Sequence, residues 1–241
     1  MQVMVITFNS GYGIETNKGL YYTYESSNII KIEKYSFGKG IYFNFGFGKE
    51  MTSNISGQIN FIYFRGSEQD FDIMVSSAVF DYYKFLPKMY GVKPSFIFRT
   101  NYSKFNPFIE LGIMILKIEF VNKTKIIAPY PSIQEYKFTG STTLGLSTSL
   151  GLDYSINDKI SLKIFISNNN LEFIPTESKT EKYTENGEDK LNSLQEYFKT
   201  TIYVDRIEKV YGPDLNSPRK MLKGKYPFSS IIFNIGVQYN F

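Results

Sequence analysis

Residues 227–241 read PFSSIIFNIGVQYNF, and this stretch decides the fold. From Ile231 onward, Ile231, Phe233, Ile235, Val237, Tyr239 and Phe241 share one face, while Ile232, Asn234, Gly236, Gln238 and Asn240 share the other. A period of two with one apolar and one polar face is a β-strand pattern. A terminal strand with a continuous apolar face frays in water unless neighbours or lipid hold it.

The same alternation recurs upstream. Ile41, Phe43, Phe45 and Phe47 oppose Tyr42, Asn44, Gly46 and Gly48; Ile55, Ile59, Phe61 and Tyr63 oppose Ser56, Gln58 and Asn60. Pro107, Ile109, Leu111, Ile113 and Ile115 oppose Glu110 and Gly112, and Leu144, Leu146, Leu150 and Leu152 oppose Gly145, Ser147, Ser149, Gly151 and Asp153. Ile160, Leu162, Ile164 and Ile166 oppose Ser161, Lys163, Phe165 and Ser167. MVITFNSGYG near the start and YGVKPSFIFR near residue 95 alternate less cleanly and bring the predicted strands to eight. Short connections rich in turn residues fall at 51–54, 100–104 and 155–158, and alternate with long ones at about 15–39, 66–87, 121–140 and 175–225. An antiparallel meander then puts every long connection at one end and both termini at the other.

Alternation suits a soluble lipocalin-like barrel with its apolar face inward as well as a membrane barrel with that face outward. The polar face here is made of Gly, Ser, Thr, Asn and Gln, which fill a narrow interior, whereas a face turned to water is normally dense in Lys and Glu. The opposite face is uniformly bulky, and short turns at one end with long loops at the other are the bacterial outer-membrane pattern. The expected fold is all-β: a single-domain, monomeric, eight-stranded antiparallel up-and-down transmembrane β-barrel over 1–241. It has three short periplasmic turns and four long extracellular loops.

Composition narrows the chemistry. The 241 residues include no Cys, His or Trp, which removes disulfides, Cys/His metal sites and imidazole-based catalysis, and the reading is of a protein that is not an enzyme. A mild net charge of +4 spread in both signs gives no case for nucleic acid. The 17% aromatic content is carried wholly by Tyr and Phe, residues that favour strands and membrane interfaces. No run of about 18 apolar residues exists, so no transmembrane helix is expected. MQVMVITFNSGYG lacks a basic segment and a cleavage site, and is not read as a signal peptide.

The eight alternating segments, the three tight turns, GYG at Gly11 to Gly13, NPFIELGIMI and the terminal Phe241 together resemble the OmpX-type, porin-family small outer-membrane β-barrels. The resemblance implies residence in the bacterial outer membrane, contact with its lipid and lipopolysaccharide, and a last strand that signals to the barrel-assembly machinery. Phe241 and Tyr239 match the aromatics of that signal and Val237 continues its apolar face. The last long connection, about 50 residues, exceeds what such barrels usually need.

Lys93, Arg99, Glu110, Asp153 and Lys163 lie on the polar faces and are expected in the lumen, where opposite charges pair and Glu110 lies within diagonal reach of Arg99 or Lys93. In the last connection Leu191, Leu194 and Phe198 stand at i, i+3 and i+7, the spacing of a short amphipathic helix, and mark an expected partner-binding cap. TIYVDRIEKVYG beyond it reads as a strand above the membrane. Glu185, Glu188 and Asp189 lack the ordered spacing of a calcium site and read as a solvated loop; no cofactor is implied. The expected role is structural or surface interaction, with docking to a larger outer-membrane protein complex; the alternative is a narrow pore for small solutes.

Overall fold

Hydrocarbon offers backbone groups no partner, so a membrane strand must be hydrogen-bonded along both edges. The computed structural model describes residues 3–16, 18–26, 29–76, 79–100, 104–126, 131–207 and 212–241. Among them, eight antiparallel strands meet this requirement: β1 (Met4–Glu15), β2 (Gly40–Glu50), β3 (Ile55–Gly66), β4 (Val79–Arg99), β5 (Phe105–Ile126), β6 (Thr143–Ser155), β7 (Ile160–Asn170) and β8 (Ser230–Asn240). Each pairs with its sequence neighbours, and β8 returns to β1 over Val5↔Asn240 to Glu15↔Ser230. Beyond that ladder the Met4 amide donates to the Phe241 carbonyl at 2.9 Å and the Phe241 amide donates back at 3.0 Å. The barrel is therefore closed without a free edge. Every segment that alternates in the sequence is a wall strand.

Side-chain parity follows the sequence pattern. Phe8, Phe45, Phe61, Phe96, Ile113, Leu146, Ile164 and Ile235 point out and are exposed, while their polar neighbours Asn9, Asn60, Ser95, Ser147, Lys163 and Gln238 are buried within. On β5 the outward apolar stripe runs from Phe105 to Ile115, about 36 Å of strand, which at a tilt near 45° spans roughly the 25 Å of an outer-membrane apolar band. The protein is an outer-membrane β-barrel with three short periplasmic turns and four long extracellular connections.

One ladder is interrupted. The β4–β5 register pairs Val92↔Ile115 and resumes at Ser95↔Gly112, skipping Lys93 and Pro94. Proline has no amide hydrogen to donate, so the skip falls where the sequence puts Pro94.

The wall does not stop at the membrane. β4 and β5, of 21 and 22 residues, stay paired out to Asp81↔Ile126. Gln69–Ser76 pairs with β4, and Ser132–Gly140 pairs with β5. Pro175–Glu185, Thr200–Val204 and Arg219–Leu222 then extend the sheet in that order. A separate hairpin joins Gly19–Ser26 to Ile29–Tyr35. Residues 185–188, expected as a solvated loop, form a tight, exposed hairpin turn. Asn186 and Gly187 both have positive φ (52° and 84°), and Glu185 pairs with Glu188. Asn-Gly favours such a turn because both residues tolerate the left-handed region.

Inside the extracellular half the lumen is apolar rather than polar. Phe37, Phe64, Met89, Met114, Leu116, Phe120, Leu171, Phe173 and Phe228 are all 0–1% exposed and pack as one cluster. Phe120 is its hub: its ring stacks on Phe138 at 4.3 Å between centroids and meets Phe37 at 5.0 Å and Phe173 at 6.0 Å. Phe120→Ala removes this hub and is expected to cost about 3–5 kcal/mol, read by denaturant titration of the folded barrel in micelles. Hydrogen exchange should rise at 114–120 and 171–173 while the β3–β4 ladder from Ile55↔Phe98 to Gln58↔Ser95 keeps its protection.

Candidate functional site

The periplasmic half of the lumen holds the expected charges, all of them inward-facing. Lys93 and Glu110, on the neighbouring strands β4 and β5, lie 2.7 Å apart (Nζ to Oε1), with side chains 4% and 8% exposed. Lys163 and Asp153, directly opposite each other on β7 and β6, lie 3.2 Å apart. Lys163 also donates to Gln238 Oε1 at 3.3 Å and sits 4.3 Å from the Phe108 ring centroid. Of the two cations within expected reach of Glu110, Lys93 makes the pair. Arg99 turns to Glu50 at 3.5 Å and donates to Ser56 Oγ at 3.0 Å. Glu50 escaped the sequence reading, although it shares the parity of Gly46 and Gly48 and so of the lumen face.

Three cations and three carboxylates thus pair off inside the barrel. Neutral groups fill the levels between them. Asn60 donates to Ser95 Oγ at 3.0 Å and to Glu110 Oε1 at 3.4 Å, Gln58 bonds Thr7, and Ser149 bonds Ser167 at 2.9 Å. A Cβ on Gly46 would collide with the polar ends of Gln58, Thr7 and Asn60, so a larger residue there has to displace those side chains from their hydrogen bonds. At the junction with the aromatic cluster the Tyr42 hydroxyl meets Ser230 Oγ at 2.9 Å. A cavity of about 20 Å³ remains among Tyr42, Asn44, Lys93, Asn169 and Asn234, room for about one water.

Val237 and Tyr239 face outward on β8, and Phe241 follows them. The Tyr239 and Phe241 rings stack 6.2 Å apart. The extracellular segment holding Leu191, Leu194 and Phe198 does not form one amphipathic helix. Leu191–Ser193 is a single 3₁₀ turn, Leu194 and Gln195 are extended, and a helix of four residues covers Glu196–Lys199. Leu191 and Leu194 are half-buried and Phe198 is exposed. Of the strand predicted over 201–212, only its start is a strand, Thr200–Val204; residues 205–207 and 212 are not, and 208–211 lie outside the described residues. The Tyr203 and Tyr136 phenols beside it are pushed above their ordinary range by burial, which keeps them protonated. Among the described residues no helix is long and apolar enough to cross a membrane.

No family model and no curated protein sequence matches the chain. Among solved structures it is similar to Neisserial surface protein A, at 10% identity and TM-score 0.43, covering 99% of this chain and 97% of that one. It is similar also to Ail, the attachment invasion locus protein of Yersinia pestis, at 12% identity and TM-score 0.38, covering 100% and 97%.

A buried ion pair repays its desolvation only while both partners remain. Lys93→Met should therefore destabilise the barrel by about 3–5 kcal/mol by stranding the Glu110 carboxylate, and the double change Lys93→Met with Glu110→Leu should recover most of that loss. Urea midpoints of the micelle-folded proteins measure both. Equal loss in the single and double variants would show that packing around Lys93, not its charge, carries the effect.

Proposed function

We propose that the protein is a non-conducting outer-membrane barrel that acts by surface interaction, through the sheet its wall carries beyond the membrane. The observation behind this reading is the filled lumen. Aromatic and aliphatic side chains close the extracellular half, paired charges occupy the periplasmic half, and the cavity between them has room for about one water. A solute crossing the barrel would have to displace Phe37, Phe120 and Phe228 from a packed core as well as break ion pairs.

The extramembrane sheet supports the interaction half of the reading. It ends on Arg219–Leu222, a strand exposed along its whole length and, among the described residues, paired on one side only, with Thr200–Val204. Apolar side chains are exposed around it: Leu222 at 59%, Phe198 at 51%, and Ile202, Leu215 and Met221 near 37–39%. An unprotected edge with apolar flanks is suited to a partner's extended segment, which adds a strand and inserts alternate side chains. The partner in this reading is another protein at the cell surface or a larger outer-membrane complex.

Two measurements test the proposal. In planar bilayers the purified protein should show no steady channel, and long-lived discrete openings would refute the closed-lumen half. Replacing 179–223 by a short Gly/Ser connection should leave a folded, heat-modifiable barrel that no longer retains the proteins which co-purify with the full chain after gentle extraction. Undiminished retention by the shortened protein would refute the interaction half.

A further inference from the structure

The outermost strand of the extramembrane sheet shows a different pattern on each of its faces. Arg219 stands opposite Thr201 and Met221 opposite Tyr203, whereas Lys220 stands opposite Ile202 and Leu222 opposite Val204. Alternation therefore puts Arg219 and Met221 on the face of Tyr203, whose ring lies 6.1 Å from that of Phe138 in the aromatic core. Lys220 and Leu222 take the opposite face. Each face thus presents one cation followed by one apolar side chain, and all four residues are exposed.

The two cations have no acid of their own. Among the described residues neither Arg219 nor Lys220 makes an ion pair, although Lys223 is held by Asp205 and Lys225 by Glu172, each at 2.9 Å. Arg219 lies beside neutral rings: its guanidinium is 6.0 Å from the Tyr197 ring centroid, and burial keeps the Tyr136 and Tyr203 phenols protonated. A guanidinium over an aromatic face keeps its in-plane N–H groups free, and their fork matches a carboxylate. On the other face Lys220 stands opposite Ile202, and Glu177, one strand further along that row, is taken by Lys179 at 3.1 Å.

Cations on an exposed edge also discourage its pairing with a second copy of itself. In parallel register two such strands set Arg219 against Arg219 and Lys220 against Lys220. Antiparallel about a common centre, they set Arg219 against Leu222 and Lys220 against Met221, which leaves every cation uncompensated. A foreign strand with acids opposite the two cations and apolar residues opposite Met221 and Leu222 satisfies all four side chains at once. Given the docking role proposed for this edge, we infer that it selects an acidic-apolar extended segment of a partner protein. Two successive carboxylate residues lie opposite Arg219 and Lys220, one on each face, and two apolar residues lie opposite Met221 and Leu222.

Fluorescence anisotropy of labelled peptides, added to the full chain folded in neutral micelles, tests this. The acidic probe Thr-Glu-Glu-Val-Ile-Glu-Glu-Thr presents the pattern in either strand direction, and a Gln probe and a Lys probe replace all of its acids. Opposite charges facing each other across strands are worth up to about a fivefold gain per pair, so the acidic probe should bind roughly 10-fold more tightly than the Gln probe. The Lys probe should bind least. In the variant Arg219→Gln, Lys220→Gln the acidic and Gln probes should bind alike. A control with equal loss of charge at exposed positions elsewhere on the sheet, Lys125→Gln with Lys182→Gln, should keep the preference. Heat-modifiable migration establishes that every variant is folded. Persistence of the preference in the first variant, or its loss in the control, overturns the selection. Hydrogen exchange at 219–222 separates that failure from failure of the edge itself. Equal binding of all three probes with protection of those amides leaves a docking edge without charge selection; no binding and no protection by any probe overturns both.

Discussion

Pairing of every backbone amide and carbonyl along the wall is the condition on which the rest of this structure depends. In hydrocarbon an unpaired backbone group costs several kcal/mol, so a sheet with two edges is unstable there and a cylinder is not. Closure between β1 and β8 meets that condition, and it fixes the remaining geometry. With eight strands the interior is only wide enough for side chains, so what faces inward must pack or pair. What faces outward must be apolar for the depth of the bilayer and then change character.

The two halves of the lumen satisfy the packing demand differently. Near the periplasm, Gly, Ser and Asn leave room for long ionic side chains that project into the cylinder and meet opposite charges on the neighbouring strand, as Lys93 meets Glu110 and Lys163 meets Asp153. Near the outer surface the connections fold back and contribute Phe37, Phe173 and Phe228, which join Phe64, Met89 and Phe120 of the wall. That part resembles the core of a water-soluble protein: it lies beneath an extramembrane sheet with water above it, so apolar burial stabilises it as it would any domain.

The barrel strands were legible because period-two alternation is local, and parity alone placed Lys93, Arg99, Glu110, Asp153 and Lys163 inside. Parity could not choose partners: whether Glu110 takes Lys93 or Arg99 depends on register and side-chain reach. The aromatic core was hidden because its members are apolar on the face expected to be polar. MILKIEF on β5 inverts the pattern: its inward face is apolar at Met114, Leu116, Ile118 and Phe120 while its outward face turns charged at Lys117 and Glu119, which is the signal that a strand has left the lipid-facing regime with its interior still buried. The failure at Leu191, Leu194 and Phe198 has another cause. Helical spacing over eight residues is weak beside tertiary context, and Leu194 is pulled into an extended conformation where the chain must turn to pair Thr200–Val204 with Pro175–Glu185. The Asn-Gly pair at 186–187 carries a local hairpin signal, and the turn it forms is exposed among charged residues.

The pairing of lumen charges also determines how the barrel meets an electric field. A potential does work on net charge that moves, about 2.3 kcal/mol per elementary charge per 100 mV. Here Lys93, Lys163 and Arg99 are each seated against a carboxylate, so the interior presents short dipoles of no net charge. Moving such a pair as a unit transfers nothing across the membrane, and separating it means stranding both ions in a dry lumen. Among the described residues of the lumen, a voltage therefore meets charges already held by their opposites, on which it can do little work.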